Sequence, residues 1–272
     1  MKTYASLVLY KHDYDDVKLT IDCILNETSI TKFIIVDNGS HCNWLSDLNS
    51  KKLEVIQTPD NNGFGSGHNI IINKYKEQAD FILICNPDIY FEKCQVDIFI
   101  DFSASVNADL STPKILYPDG TLQRSCKLLP SPYQLFMRRF LSGISASLNN
   151  VYELTNADYT RPFFAPSVSG CFMLLSRDAL NIAGCFDTRY FMYLEDVDIS
   201  RRICSAGLKV IYCPTACVVH ESQRRSYKSV KFLFYHIKSA ISYFNKWGWL
   251  FDKERKRLNG KCLSELPKSK TD

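Results

Sequence analysis

No stretch of this 272-residue chain is apolar for long enough to span a bilayer. The N-terminus, Met1-Lys-Thr-Tyr-Ala-Ser-Leu-Val-Leu-Tyr10, has only a short apolar run before charges begin, so a first β-strand is expected there rather than a secretory leader. Neither sign of charge dominates: the net charge is only +4, which gives no overall footprint for nucleic acid. The eleven cysteines include no Cys-x-x-Cys pair, are odd in number, and mostly sit inside apolar runs (Cys85, Cys171, Cys204, Cys213). Buried reduced thiols in a reducing cytoplasm are therefore expected, not a zinc site or a disulfide framework. The glycine-rich segment Gly63-Phe-Gly-Ser-Gly67 lacks the Lys-Ser/Thr of a P-loop and the G-x-G-x-x-G spacing, which argues against ATP or a dinucleotide. Hydrophobic residues make up 46% of the chain, ordinary for one large domain or a domain with an appendage.

Short apolar runs at Ala5 to Tyr10, Phe33 to Asp37, Leu53 to Gln57 and Phe81 to Cys85 read as strands. They alternate with helical periods at Val17 to Asn26 and Gly67 to Lys76, the pattern of βαβ units in a doubly wound, mostly parallel α/β sheet. Two of these runs end in a carboxylate within a turn: Asp37 in Asp37-Asn38-Gly39-Ser40, and Asp88 in Asn86-Pro87-Asp88. Parallel sheets bind ligands beyond the carboxyl ends of their strands. Each aspartate therefore has two readings, a group facing a ligand or an Asx turn closing its strand. The stretch Tyr193-Leu-Glu-Asp-Val-Asp-Ile-Ser-Arg-Arg202 reads as a helix with an acidic first turn, which suits the positive end of the helix dipole. Glu195, Asp198 and Arg202 fall at i, i+3 and i+7 on one face, so Arg202 can pin Asp198 or Glu195. Beyond Asp88 the pattern is less regular, with strands expected at Leu110 to Lys114 and Thr121 to Cys126 and a short helix at Tyr133 to Leu141.

Taken in order, Val36-Asp37-Asn38-Gly39-Ser40, Asn61-Asn-Gly63-Phe-Gly65-Ser-Gly67-His-Asn69, Asn86-Pro87-Asp88, Gly184-x-Phe-Asp187 and Phe191-Met-Tyr193-Leu-Glu195-Asp196-Val-Asp198 resemble the inverting family 2 glycosyltransferases of the GT-A fold. The similarity is greatest to bacterial rhamnosyltransferases of O-antigen and related surface polysaccharides, and it runs from about Tyr4 to His220. The resemblance implies a nucleoside diphosphate sugar donor, with Asp196 as general base and Glu195 orienting hydroxyls beside it. It implies Asp88 and His220 as ligands of Mg²⁺ or Mn²⁺, although Asn86 stands where the family's first metal-motif acid would be. It implies donor contacts from Tyr10 by stacking on the base, from Asp37 to base or ribose, and from Asn38, Gly67, Asn69 and Arg202. The glycines are expected to let the backbone approach the donor closely. Arg224 and Arg225 are expected either to hold diphosphate oxygens or to form a solvated basic turn.

The expected domain runs over residues 1–222, with a nucleotide-binding half at 1–90 and an acceptor and catalytic half at 91–222, followed by a tail at 223–272. From Arg224 to Lys261 there are eleven Lys or Arg against two acids, interleaved with aromatic residues. This composition fits a helix lying on an anionic membrane surface, or alternatively one packed on the domain with its charges solvated. The family points to a lipid-linked, undecaprenyl-type saccharide acceptor, dTDP-rhamnose as donor, and a peripheral position on the cytoplasmic face of the bacterial inner membrane. Competing readings are a transferase for another UDP-, dTDP- or GDP-sugar and a nucleotide-sugar nucleotidyltransferase. The latter should show an early G-x-G-T-R-like loop with a lysine, whereas the first strand runs into Tyr10-Lys-His-Asp-Tyr14.

Overall fold

The computed structural model describes residues 1–140, 146–222 and 230–267. In chain order the elements are β1 (Thr3–Leu9), α1 (Tyr14–Asn26), β2 (Ile30–Asn38), a 3₁₀ turn at Asn43–Asp47, β3 (Leu53–Thr58), α2 (Phe64–Tyr75), β4 (Phe81–Cys85), β5 (Ile89–Tyr90), α3 (Gln95–Ser105), β6 (Leu110–Leu116), β7 (Cys126–Lys127), α4 (Pro132–Phe140), α5 (Ala146–Tyr152), β8 (Phe163–Phe164), β9 (Ser167–Val168), β10 (Phe172–Ser176), α6 (Arg177–Ile182), α7 (Glu195–Ser205), β11 (Val210–His220), α8 (Val230–Trp247) and α9 (Lys253–Glu265).

The main sheet has the order β3-β2-β1-β4-β10-β6-β11-β5, with β8 pairing on β11. The first four strands in that order are mutually parallel, and β11 is parallel to β6. β10 enters between β4 and β6 antiparallel to both. Helices cover both faces, which is why a central strand such as β4 is apolar and buried at every position, while the edge strand β3 is only partly buried. Alternate side chains still divide between two cores: Ile34, Val36, Ile82 and Ile84 face one, Phe33, Ile35, Phe81 and Leu83 the other.

Three expectations change. The glycine segment is not a loop, because α2 begins at Phe64 and carries Gly65 and Gly67 in its first turn. A Cβ on Gly67 would lie 2.7 Å from Val8 Cγ1, and one on Gly65 would lie 2.8 Å from the Phe186 side chain. These glycines let α2 press onto β1 and onto the segment before α7. Residues 121–126 form no continuous strand: Leu122 makes one isolated bridge to Leu116, and pairing resumes only at Cys126 with β9. The C-terminal helices are not a detached tail. Tyr243, Phe244, Leu258 and Cys262 are buried in the core beside α7 and β8. Arg201 of α7 forms a bidentate pair with Asp252, at 2.7 and 2.6 Å, and Asp252 also caps α9 through the Arg255 amide.

Candidate active site

A cleft of about 1480 Å³ opens at the carboxyl ends of β1 and β4. Asn86 and Asp88 lie on its strand side, Gly170, Glu195 and Asp196 stand opposite, and α8 closes one flank with Phe232 and Tyr235. A smaller cavity of about 250 Å³ shares Glu195 and Asp196 with it and reaches towards Lys127, Ser167 and His236.

Asp88 follows the Asn-Pro turn that ends β4. The two residues of β5 then pair antiparallel with the end of β11, setting His220 opposite Ile89. That register brings His220 Nε2 to 3.1 Å from Asp88 Oδ1. The other ring nitrogen, Nδ1, lies 3.0 Å from Gln123 Oε1, an acceptor, so Nδ1 carries a proton and Nε2 faces the carboxylate. Burial alone would lower the His220 pKa, but Cys171 and the hydrogen bond to Asp88 outweigh it and raise it to about 10. An oxygen and an imidazole nitrogen converging on the cleft suit a divalent cation taking the place of that proton. Among the described residues no group of three or more His, Cys, Asp or Glu gathers in metal-binding fashion, so the pair fits an ion completed by phosphate oxygens and water.

Glu195 and Asp196 open α7, immediately after two residues with left-handed backbone, Tyr193 (φ 71°) and Leu194 (φ 66°). That turn swings the first helical residues into the cleft. Asp196 Oδ2 accepts from the Gly170 amide at 3.0 Å and Oδ1 from the Val197 amide at 2.8 Å. Glu195 Oε2 is buried without a hydrogen-bond partner. Burial raises both carboxyl pKa values; the charge of Asp196 adds to the rise at Glu195, while the two amides oppose it at Asp196. The rise is the greater at Glu195, so of the pair Asp196 gives up its proton the more readily.

One short segment joins the two halves of the site. The Gly170 amide holds Asp196, and the carbonyl of the next residue, Cys171, accepts from the Asn86 amide at 2.8 Å. A side chain on Gly170 would place its Cβ 3.1 Å from Asp196 Cβ, so glycine permits the approach. The sequence signal for this segment is only Ser169-Gly170-Cys171 ahead of an apolar strand, and it passed without notice. So did the contribution of α8 to the cleft wall.

The structure turns several expected donor contacts away from the cleft. Asp37 is fully buried and accepts on both carboxylate oxygens from backbone amides, those of His41 and Cys42, each at 3.0 Å; it holds the chain that leaves its strand, through residues four and five further on. Asn69 accepts from the Phe186 amide at 2.9 Å and donates to its carbonyl at 2.8 Å, so it ties α2 to the segment before α7. Gly67 abuts Val8 instead of a ligand. Arg202 is spent on Asp198, at 2.8 Å, and on the carbonyls of Ala183 and Cys185. Asn38 lines the cleft, but its amide is bonded to Asn61 and Gly63. Tyr10 lines the cleft with an exposed ring, edge-on to His41. Arg224 and Arg225 lie outside the described residues.

No family model matches the chain. It is 29% identical over 186 residues to the N-acetylglucosaminyl-diphospho-decaprenol L-rhamnosyltransferase of Mycobacterium tuberculosis, covering 62% of this chain and 58% of that protein. The chain therefore spans little more than half of that relative. It is 27% identical over 209 residues to the rhamnosyltransferase WbbL of Escherichia coli K12, covering 72% of this chain and 75% of the other. In fold it matches a crystal structure of GalNAc-T7 with UDP, GalNAc and Mn²⁺, at a TM-score of 0.60 and 13% identity over 80% of this chain and 43% of that one.

Proposed function

We propose that this chain, which has the GT-A fold and resembles family 2 rhamnosyltransferases, is an inverting glycosyltransferase that moves a sugar from a nucleoside diphosphate donor to an acceptor hydroxyl. The observation that carries the reading is the tie through Gly170 and Cys171, which sets an ionisable carboxylate and an Asp–His pair on facing sides of one cleft. In this reading Asp196 takes the proton of the acceptor hydroxyl as that oxygen attacks the anomeric carbon, and the diphosphate departs from the opposite face. Glu195, still protonated, donates a hydrogen bond to a sugar or acceptor oxygen. Asp88 and His220 would hold Mg²⁺ or Mn²⁺, which when bound supplies positive charge to the diphosphate. Tyr10 and the polar wall at Asn38 and Asn61 border the place where the nucleoside would lie.

The names of the two relatives favour rhamnose as the sugar, and that of the first favours a lipid-linked saccharide as acceptor; dTDP as the carrier and surface polysaccharide assembly as the setting are inferred from the family resemblance of the sequence motifs alone. We further infer a peripheral seat on the cytoplasmic face of the inner membrane. No helix among the described residues is long and apolar enough to cross a membrane. Phe234, Ile237 and Ile241 are exposed on one face of α8, followed by Trp249, Leu250 and Phe251, with Lys231 and Lys238 beside them. Such a face suits an anionic bilayer. Lys246 is not part of it, because its ammonium group lies 2.8 Å from Asp187 and 2.7 Å from Asp198.

A panel of UDP-, dTDP- and GDP-sugars, incubated with an undecaprenyl-type acceptor with and without chelator, tests the reading. Release of dTDP from dTDP-rhamnose, suppressed by chelator, is the expected result. Release of pyrophosphate would indicate nucleotidyl transfer instead, and no release from any donor would sink the proposal.

A further inference from the structure

We propose that α8 is the positioning element of the active site, with Ser239 as its central contact. This rests on the roles proposed for Glu195 and Asp196. Those two residues are aimed by Tyr193 and Leu194, whose left-handed backbone is disfavoured for residues with bulky side chains. Such a turn persists only where its surroundings hold it. Within the segment itself, Tyr190 folds back on Asp187 through one backbone hydrogen bond. From α2 the Phe64 amide donates to the Phe191 carbonyl at 2.9 Å.

α8 adds a hold along the whole segment. Ser239 is 2% exposed, and its hydroxyl donates to the Met192 carbonyl at 2.8 Å, one residue before the left-handed pair. One turn earlier, the Tyr235 ring packs on Phe191 with centroids 4.6 Å apart, and His236 packs on Tyr193 at 5.5 Å. Two turns later, Lys246 binds Asp187 where the segment starts, and Trp247 donates to Asp198 at 2.7 Å just beyond the site. The helix therefore grips the segment before, within and after its strained turn.

The test compares Ser239→Ala, Ser239→Thr and Tyr235→Leu in the full chain by hydrogen exchange with mass spectrometry and by steady-state kinetics on dTDP-rhamnose. In Ser239→Ala the amides of residues 187–196 are expected to exchange about tenfold faster while peptides of β1, β2 and β4 stay unchanged, as for a local opening. The kcat should fall about ten- to a hundredfold, as for misplaced catalytic groups, with donor KM within about threefold. Ser239→Thr, which keeps the hydroxyl, should recover most of both. Tyr235→Leu should open the same peptide by a separate route and covers the case in which Ser239→Ala does not fold. Unchanged exchange at 187–196, parallel opening of the sheet, or opened exchange with unaltered kcat would each overturn the proposal. If the wild-type chain turns over no donor, the proposed activity is what fails, and the exchange measurements decide the positioning role alone.

Discussion

Removing the carboxylate of Asp198 should unfold the protein several degrees earlier. Asp198 has no solvent exposure and collects four donors: Lys246 at 2.7 Å, Trp247 Nε1 at 2.7 Å, Arg202 Nε at 2.8 Å and the Tyr190 hydroxyl at 3.2 Å. In Asp198→Ala, Lys246 keeps Asp187 and Arg202 keeps two carbonyls, but the indole N–H and the phenol lose their acceptor inside the protein. Breaking a buried pair on one side costs about 3–5 kcal/mol, and the surviving Asp187 favours the lower end. At about 2.1 cal/mol/K per residue, 272 residues give an unfolding entropy of about 0.57 kcal/mol/K, so the melting temperature should drop by about 5–9 °C. Arg189→Ala is the internal control. Its pair with Asp187 is 2.5 Å long but its side chain is 56% exposed, so water already screens it and the expected loss is under about 1 kcal/mol. Circular dichroism melts of both variants at matched ionic strength decide the matter. A drop for Asp198→Ala no larger than that of Arg189→Ala would refute the view that this carboxylate organises its surroundings.

Asp196→Asn keeps the size of the carboxylate and one of its two amide contacts but cannot take a proton, so turnover should fall by about a hundred- to ten-thousandfold with nucleotide binding retained; turnover within about threefold of wild type removes it from the role. The same residue should give kcat/KM an acid limb above the range of an ordinary aspartate, because burial raises its pKa, and a limb at the ordinary value would count against the assignment. His68, fully buried with Nδ1 2.6 Å from Ser6 Oγ, is depressed by burial to about 3. Below pH 6.5 the unfolded chain takes up a proton there that the folded chain refuses, so stability falls as pH drops; between pH 7 and 4 this amounts to roughly 3 kcal/mol, and urea midpoints of His68→Gln should show a correspondingly flatter pH dependence. Asp88→Ala should weaken binding of the nucleoside diphosphate in Mn²⁺ more than binding of the bare nucleoside, measured by calorimetry, and equal losses would separate Asp88 from the diphosphate.

The strands of the first ninety residues are legible because most are short, largely apolar runs that burial on both faces explains, and the sheet-edge strand β3 carries Glu54 and Gln57 among its apolar residues. What the runs could not tell was which strand-end carboxylate faces outward. Asp37 and Asp88 look alike in sequence, yet the chain after Asp37 doubles back and donates two amides to it, whereas the chain after Asp88 is drawn off to pair with a strand about 130 residues later. Local pattern carries the first kind of information and not the second. Helical spacing leaves Arg202 two partners, Asp198 or Glu195, and the structure gives it Asp198; the carbonyls that complete its shell and keep it from the donor come from the segment at Ala183–Cys185, which no period in α7 encodes. The basic and aromatic character of the tail allows a helix on a membrane surface or one packed on the domain; which residues form its inward face, with Ser239, Tyr243 and Lys246 directed at α7 and the segment before it, emerges only once the helix is wound and docked.

The placement of β10 has a consequence for how the protein comes into being. Its partners β4 and β6 are both made before it, and β4 ends at Cys85 while β10 begins at Phe172. A ribosome adding 5–20 residues per second needs roughly 4–17 s to cover that distance. Throughout that interval β4 presents an unpaired edge of five wholly buried-type residues, Phe-Ile-Leu-Ile-Cys, the kind of edge that recruits other chains. The nascent N-terminal half is thus an aggregation hazard until the middle of the sheet is filled, and the strand that fills it follows directly on Gly170 and Cys171. Closing the sheet and bringing the two sides of the cleft together are one event in the life of the chain.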